Sequence, residues 1–243
     1  MDINVLEIRN YLLKPNVLEH FIDYFEEHFI FSQQDQNMHT LGQFRLTGEP
    51  NRFVWIRGFA DMETRLAGLH DFYGGSVWKK WGPLANDMML EWHNVHLLRP
   101  LGNADLTCGL NADLVAAEFA DGTISPHTGV IAVDFYEAKP GKRDDLIEHF
   151  QTKVIPAYAN EAIQLRGLFV AEMSENQFSR LPVIQNENEL VVISAYESED
   201  AYDHHHATLT PLIHQVLGEF LSTSPETLLL SPTLRSPLRY LPI

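Results

Sequence analysis

Apolar and polar positions alternate with a period of two over four stretches of the first hundred residues. Ile3 to Leu13 places Val5, Glu7, Arg9 and Tyr11 on one face and Leu6, Ile8 and Leu12 on the other, with Asn10 interrupting. Met38 to Thr47 predicts a second strand. Gly48-Glu49-Pro50-Asn51 turns the chain into a third, Arg52 to Phe59, and Glu91 to Leu98 reads as a fourth. Helical spacing fills the gaps. Leu18, Phe21, Ile22, Phe25 and Phe29 form one apolar stripe, opposite Glu19, Asp23, Glu26 and Glu27. Asp61 sits at the N-cap of a helix carrying Arg65, Leu69 and Phe72, which Gly74-Gly75 ends. Ser76 then caps a short aromatic helix with Trp78 and Trp81, expected to stop at Gly82-Pro83. The order is β-α-β-β-α-β.

The same order recurs. Tyr11-Leu-Leu-Lys-Pro15 reappears as Tyr136-Glu-Ala-Lys-Pro140, and Phe25 as Phe150, all at an offset of 125. Strands are expected over Gly129–Ala138, Ala162–Met173, Glu189–Tyr196 and Glu226–Leu238. A helix stripe runs through Leu146, Ile147, Phe150, Val154 and Tyr158, and a second helix from Ser198-Glu-Asp to about Leu221. Three parts follow: a first ferredoxin-like unit over 1–101, a connecting segment over 102–128, and a second unit over 129–243. The connection carries no Lys or Arg and is expected to be extended and partly packed through Leu110, Leu114, Val115 and Phe119. A four-stranded sheet with helices on one face leaves its other face bare. The predicted fold class is therefore α+β, with two such units packed sheet to sheet as a barrel within one chain.

In the third strand Phe53, Trp55, Arg57 and Phe59 share a face, and Val54, Ile56 and Gly58 share the other. The small aliphatic face is expected to pack under a helix, and the aromatic and guanidinium face to line a cavity inside the barrel. Glu7, Arg9, Tyr11 and Arg57 then belong to one wall. Arg9 or Arg57 is suited to hold a carboxylate or enolate, and Glu7 or Tyr11 to move a proton. A purely structural Glu–Arg network is the competing reading.

Bulk properties narrow the field. The net charge is −16 and no segment offers a basic patch, which excludes general nucleic-acid or anionic-membrane binding. With 45% hydrophobic and 11% aromatic residues, the chain can bury a sizeable core. Cys108 is the single cysteine, so no internal disulfide forms. No apolar run approaches about 18 residues, and no basic-then-apolar leader is recognisable, so a cytoplasmic protein is expected.

Glu7-Ile-Arg-Asn-Tyr11 with Lys14-Pro15, Phe53 to Phe59, Arg65 through Leu69 to Phe72-Tyr73, Trp78, and Asn94-Val-His-Leu-Leu-Arg-Pro100 together resemble a NIPSNAP domain. The likeness covers residues 3–101 and is looser over 129–243. There Glu7 and Arg9 become Ala132 and Asp134, and Trp55 and Arg57 become Val192 and Ser194. Ser198 to Pro211, with His204 to His206, resembles the antibiotic-biosynthesis-monooxygenase branch of the same dimeric α+β barrel superfamily. The resemblance implies the fold and leaves the reaction open, since related barrels include oxygenases, isomerases and noncatalytic members.

The candidate catalytic residues are Glu7, Arg9, Tyr11, Arg57, His96 and His205; Phe53, Trp55, Phe59, Trp78, Asn94, Asp134 and Tyr136 are expected to line a substrate pocket. Asn94 and His96 alternate onto the face of Trp92, a set that can serve cofactor-free oxygen chemistry. In His204-His-His206 adjacent side chains diverge by about 100°, so three in a row cannot converge on one ion, and no metal site is expected. No phosphate-binding glycine loop or serine-hydrolase motif is present, and no cofactor is expected. The expected partner is a small apolar ligand with an anionic group, together with self-association into a homo-oligomer. The functional expectation is a cofactor-independent monooxygenase or isomerase, with a noncatalytic binding or scaffold protein as the alternative.

Overall fold

The computed structural model describes residues 3–104, 106 and 129–241. Most of the predicted connection, including Cys108, Leu110, Leu114, Val115 and Phe119, lies outside the described residues. The elements are β1 (Val5–Leu13), α1 (Leu18–His28), α2 (Ile30–Gln34), β2 (His39–Leu46), β3 (Arg52–Phe59), α3 (Met62–Gly74), α4 (Ser76–Met88) and β4 (Met89–Pro100). They continue with β5 (Val130–Glu137), α5 (Arg143–His149), a π-helical turn (Phe150–Val154), α6 (Ile155–Asn160), β6 (Gln164–Ala171), β7 (Glu189–Tyr196), α7 (Glu199–Leu217) and β8 (Glu226–Pro232). The protein is mixed α+β, and its eight strands take the order β1-β3-β2-β8-β5-β7-β6-β4 of a closed antiparallel barrel.

Two compact units partition the chain, and their boundaries interleave. The first comprises 1–100 together with 172–185 and 233–237; the second comprises 101–171, 186–232 and 238–243. The long loop before β7 is thus part of the first unit.

In the first unit β1 is flanked by β3 and β4, all antiparallel, and β2 pairs with β3. Its helices cover the face carrying Val5, Tyr11, Leu13, Phe53, Trp55 and Phe59. This reverses the expectation that the aliphatic face of β3 would lie under a helix. The stripe of α1 explains the reversal. Phe21 and Phe25 meet Phe53 with ring centroids 5.1 Å apart in each case, and Phe25 meets Trp55 at 4.9 Å, mostly edge to face. Aromatic rings on both layers interlock across the helix–sheet gap better than short aliphatics do. Gly58 leaves the opposite face free for Ile3 and Leu41, whose side chains come within 2.6 and 2.8 Å of where a Cβ would stand.

Asp61 caps α3 as expected, accepting from the Thr64 amide at 2.7 Å. The stop at Gly82-Pro83 does not occur, because α4 runs on to Met88. Proline removes one intrahelical hydrogen bond, and the carbonyl it frees belongs to exposed Lys79, where water can serve it. Gly82 has a packing role instead: a Cβ there would stand 2.6 Å from the Trp78 ring.

In the second unit β5 lies between β7 and β8, and β6 pairs with β7. The helical cover is interrupted by the π-helical turn, which seats Phe150 and Val154 in the core. β8 and α7 both end earlier than the pattern suggested, at Pro232 and Leu217. Ser198 caps α7, accepting from the Ala201 amide at 3.1 Å.

Backbone geometry carries the duplication further than sequence identity does. Left-handed residues occur at Asn16 (φ 64°) and Gly141 (φ 75°), and at Asn37 (φ 56°) and Ala162 (φ 55°). Both pairs stand at the 125-residue offset. Gly tolerates this region because it lacks a Cβ and Asn because its side-chain amide can bond the local backbone, whereas Ala has neither advantage. Ala162→Asn, which copies the first unit, should raise stability by up to about 1 kcal/mol and the melting temperature by a few degrees. An unchanged or lower melting temperature would show that no strain is stored at this turn.

Candidate functional site

The first unit is built around one buried carboxylate. Glu7 and Arg57 are directly opposite each other across β1 and β3, while Arg9 lies two residues along on the same face. Glu7 Oε2 accepts from Arg9 Nη1 and from Arg57 Nε, both at 2.7 Å, and Oε1 accepts from Arg65 Nε at 2.7 Å. All four residues are buried to within 1% of full burial. One negative charge therefore faces three positive ones in a site without bulk water. Burial alone would raise the Glu7 pKa, but Arg57, Arg9 and Arg65 outweigh it and hold the group far below the usual carboxylate range. Glu7 is then no general base near neutral pH, which corrects its expected role as a proton carrier.

Arg65 completes this network and is not among the site residues expected from the sequence. It comes from α3, in the same helical stripe as Leu69 and Phe72, and an arginine in an otherwise apolar stripe was the available signal. Its Nη1 donates to Asn176 Oδ1 at 3.0 Å, and Asn176 Nδ2 donates to the Leu181 carbonyl at 2.8 Å. The carboxylate at Glu7 thus reaches, through Arg65 and Asn176, the loop that holds Phe178, Arg180 and Leu181. Arg57 Nη1 donates to Gln33 Oε1 at 3.1 Å, tying in α2. The Nη2 atoms of Arg57 and Arg65 are buried and have no hydrogen-bond partner among the described residues.

Beside this network lies a cavity of about 360 Å³ on the helix-covered side of the first unit's sheet. Arg9 and Tyr11 form its floor, with Tyr73, Trp78 and Trp92 around it and the Phe178–Leu181 loop above. Arg9 Nε donates to the Tyr11 hydroxyl at 2.8 Å, leaving that phenolic proton free to point elsewhere. Burial raises the Tyr11 pKa, against the pull of Arg9, so the phenol stays neutral and serves as a donor. Phe178 stacks on Tyr73 at 5.8 Å. Arg180 is exposed at the rim. The arrangement presents guanidinium and phenol donors at one end of an aromatic box.

Several expected residues lie elsewhere. Phe53 and Phe59 are fully buried core under the helices and do not reach this cavity. Trp55 supports it from beneath, its ring centroid 5.5 Å from the guanidinium carbon of Arg9 and 5.1 Å from that of Arg57. Asn94 and His96 pair with Asn10 and Ile8, on the face opposite Arg9, so neither joins the site. A bulge is the reason. Between Asn10/Asn94 and Leu12/Glu91 the register shifts, so Tyr11 faces two residues, Trp92 and His93. Trp92 turns into the cavity while Asn94 and His96 keep the other phase.

The second unit has its own cavity, of about 220 Å³. Asp134 and Tyr136 line it, equivalent by the 125 offset to Arg9 and Tyr11, so the predicted pocket residues divide between two separate sites. Thr227 on β8 donates to Asp134 at 2.5 Å. Burial raises the Asp134 pKa to about 6, against the lowering influence of Thr227 and His206. Of the histidine run, His206 borders this cavity, whereas His205 contacts Glu161, just past the end of α6, at 3.2 Å. Adjacent helical residues diverge, and the helix phase selects His206. Among the described residues no group of three or more His, Cys, Asp or Glu is placed to hold a metal ion, and no helix is long and apolar enough to cross a membrane.

Glu7→Gln leaves three guanidiniums buried without their counter-charge and should cost about 3–5 kcal/mol in urea unfolding. Arg9→Met leaves Glu7 two partners and should change stability by less than about 1 kcal/mol; a loss as large as that of Glu7→Gln would make Arg9 purely structural. At Asp134 the sign is opposite. Its folded pKa of about 6 exceeds the ordinary 3.8, so its contribution is favourable below pH 3.8 and is lost as pH rises through 6. Asp134→Asn should stabilise the fold by about 3 kcal/mol at pH 8, with the difference from the parent closing by pH 4. A pH-independent difference would contradict this.

Among curated proteins none matches the chain in sequence. Solved structures show the fold. A candidate monooxygenase from Lactobacillus acidophilus superposes with TM-score 0.61 over 95% of this chain and 94% of its own, at 13% identity. One from Fusobacterium nucleatum gives 0.61 over 95% and 92%, at 11% identity. An anthrone oxidase-like protein gives 0.57 over 96% and 92%, at 9% identity. The NIPSNAP family matches residues 6–102, the stretch holding Glu7, Arg9, Arg57, Arg65 and Trp78. This chain carries a NIPSNAP domain over residues 6–102.

Proposed function

We propose that the first unit's cavity binds a small planar organic anion, an aromatic carboxylate or a phenolate or enolate, with Arg9 as its anchor. The observation that carries this is the charge imbalance: three buried guanidiniums share one carboxylate, and Arg9 borders the cavity. A buried excess of positive charge is relieved when an anion enters, and desolvation strengthens the contact. The Tyr11 hydroxyl supplies a neutral donor, and Tyr73, Trp78 and Trp92 offer ring faces to a flat ligand. The volume of about 360 Å³ suits a flat ligand of two or three fused rings.

The chemistry favoured by the structural neighbours is oxygenation. In that reading the bound anion is itself the electron donor to dioxygen. A ring methylene is oxidised to a carbonyl, one oxygen atom enters the product and the other leaves as water, and Arg9 stabilises the enolate that reacts. The substrate then ionises before or on binding, since Glu7 does not accept a proton and Tyr11 stays neutral. The noncatalytic reading keeps the same anion site without turnover.

Quenching of tryptophan fluorescence by 2-naphthoate, compared with 2-naphthamide, tests the site. Saturable quenching by the acid, at least tenfold weaker for the amide and lost by 10- to 100-fold in Arg9→Met, is expected. Equal affinity for acid and amide would remove Arg9 as anchor. Oxygen uptake with anthrone, abolished in Arg9→Met, separates the catalytic reading from simple binding.

A further inference from the structure

We infer that the second unit's cavity is a binding site for a small organic ammonium ion, held by Asp134 within a cage of tyrosine rings. The duplication has kept the cavity and inverted its charge. Arg9 and Asp134 are equivalent positions on β1 and β5, each is followed two residues later by a tyrosine, and each borders the cavity of its own unit.

Four aromatic residues converge here from four elements: Tyr136 on β5, Tyr158 on α6, Tyr196 on β7 and Tyr202 on α7. Tyr136, Tyr158 and Tyr196 are at most 6% exposed. Tyr196 and Tyr202 meet edge to face at 5.3 Å with planes at 90°, so they form two sides of a box rather than a stack. The phenols are neutral, because burial raises the pKa of each. Neutral rings at right angles around a buried carboxylate are what a cation with an apolar skin requires: ring faces attract the charge and the carboxylate fixes it. A bare inorganic cation would leave the rings unused, and an anion would meet Asp134.

Among the described residues no lysine or arginine pairs with Asp134. Thr227 gives it a neutral hydrogen bond, and His206, at the mouth on α7, is engaged with the Tyr202 hydroxyl at 3.4 Å and stacked on its ring. Burial outweighs both influences in raising the proton affinity of Asp134, as it does for a carboxylate held away from water. The cage is also supported from behind. Phe150, on the π-helical turn, packs edge to face against Tyr136 at 5.5 Å and Tyr158 at 6.0 Å. Such turns recur at functional sites because they re-aim a side chain within a helix. His206, Thr210 and His214 edge the opening, on the exposed side of α7, so a solute can enter without moving the sheet.

The inference is independent of the anion site and tested separately. Isothermal titration of the full chain at pH 7.5 with choline should give saturable binding of one equivalent. Its neutral isostere, 3,3-dimethylbutan-1-ol, should bind at least tenfold more weakly. Asp134→Asn, which is expected to fold well, should lower choline affinity at least tenfold, and Tyr202→Leu, at a half-buried position, should weaken it severalfold. Equal binding of choline and the isostere would mean that the cavity is merely apolar. No saturation by 50 mM choline, or full affinity in Asp134→Asn, would overturn the site.

Discussion

The structure of the first unit depends on a carboxylate buried among three guanidiniums. Each Glu7 oxygen is spoken for, and the three arginines come from β1, β3 and α3, so the sheet and a covering helix are fixed to one point. Desolvating four charges is costly, and such a cluster persists only when the geometry is close to ideal. Here all three contacts are 2.7 Å. The charge count remains uneven, and that unevenness makes one cluster both a structural brace and a wall of attraction for a ligand. The two readings weighed from the sequence, network or anchor, are not exclusive. Arg57 and Arg65 brace, while Arg9 also opens onto the cavity.

The second unit shows what becomes of the same frame when the charges are removed. Ala132 and Ser194 stand where Glu7 and Arg57 would be paired, directly across β5 and β7, and a dry aliphatic and hydroxyl contact replaces the ion cluster. With no guanidinium left, Asp134 no longer has a partner of opposite charge on its own strand. Duplicated halves commonly keep the backbone and let one site diverge, since function is carried by side chains grafted on a common fold. The preserved left-handed turns at 16/141 and 37/162 mark the backbone part of this inheritance.

Much of this was legible in the sequence, and the failures have physical causes. Alternation located every strand, and the repeated Tyr-x-x-Lys-Pro fixed the duplication. Which face of β3 would meet the helices was misjudged, because aromatic residues suit both a cavity wall and a ring-packed interior, and only the partner stripe on α1 decides between them. Trp92 was grouped with Asn94 and His96 because a two-residue period was extended through a bulge that nothing in the residue types announces. His206 borders the second cavity where His205 was the expectation, because three identical residues in a row do not reveal the phase of their helix. Arg65 stood in plain view in its apolar stripe, yet it acquires meaning only beside Glu7, 58 residues away.

The interleaved boundary has a consequence for how the molecule is made. Phe178, Arg180 and Leu181, which complete the wall of the first cavity, are synthesised only after β5 and β6. Thr233, which donates to the buried Glu26 of α1 at 2.6 Å, arrives later still. The amino-terminal hundred residues therefore emerge with an unfinished pocket and an unpartnered carboxylate on α1. Domains usually fold as units in the order of translation. In this chain the first unit acquires its last segments, 172–185 and 233–237, only after most of the second unit has been made, so its pocket is finished late in synthesis.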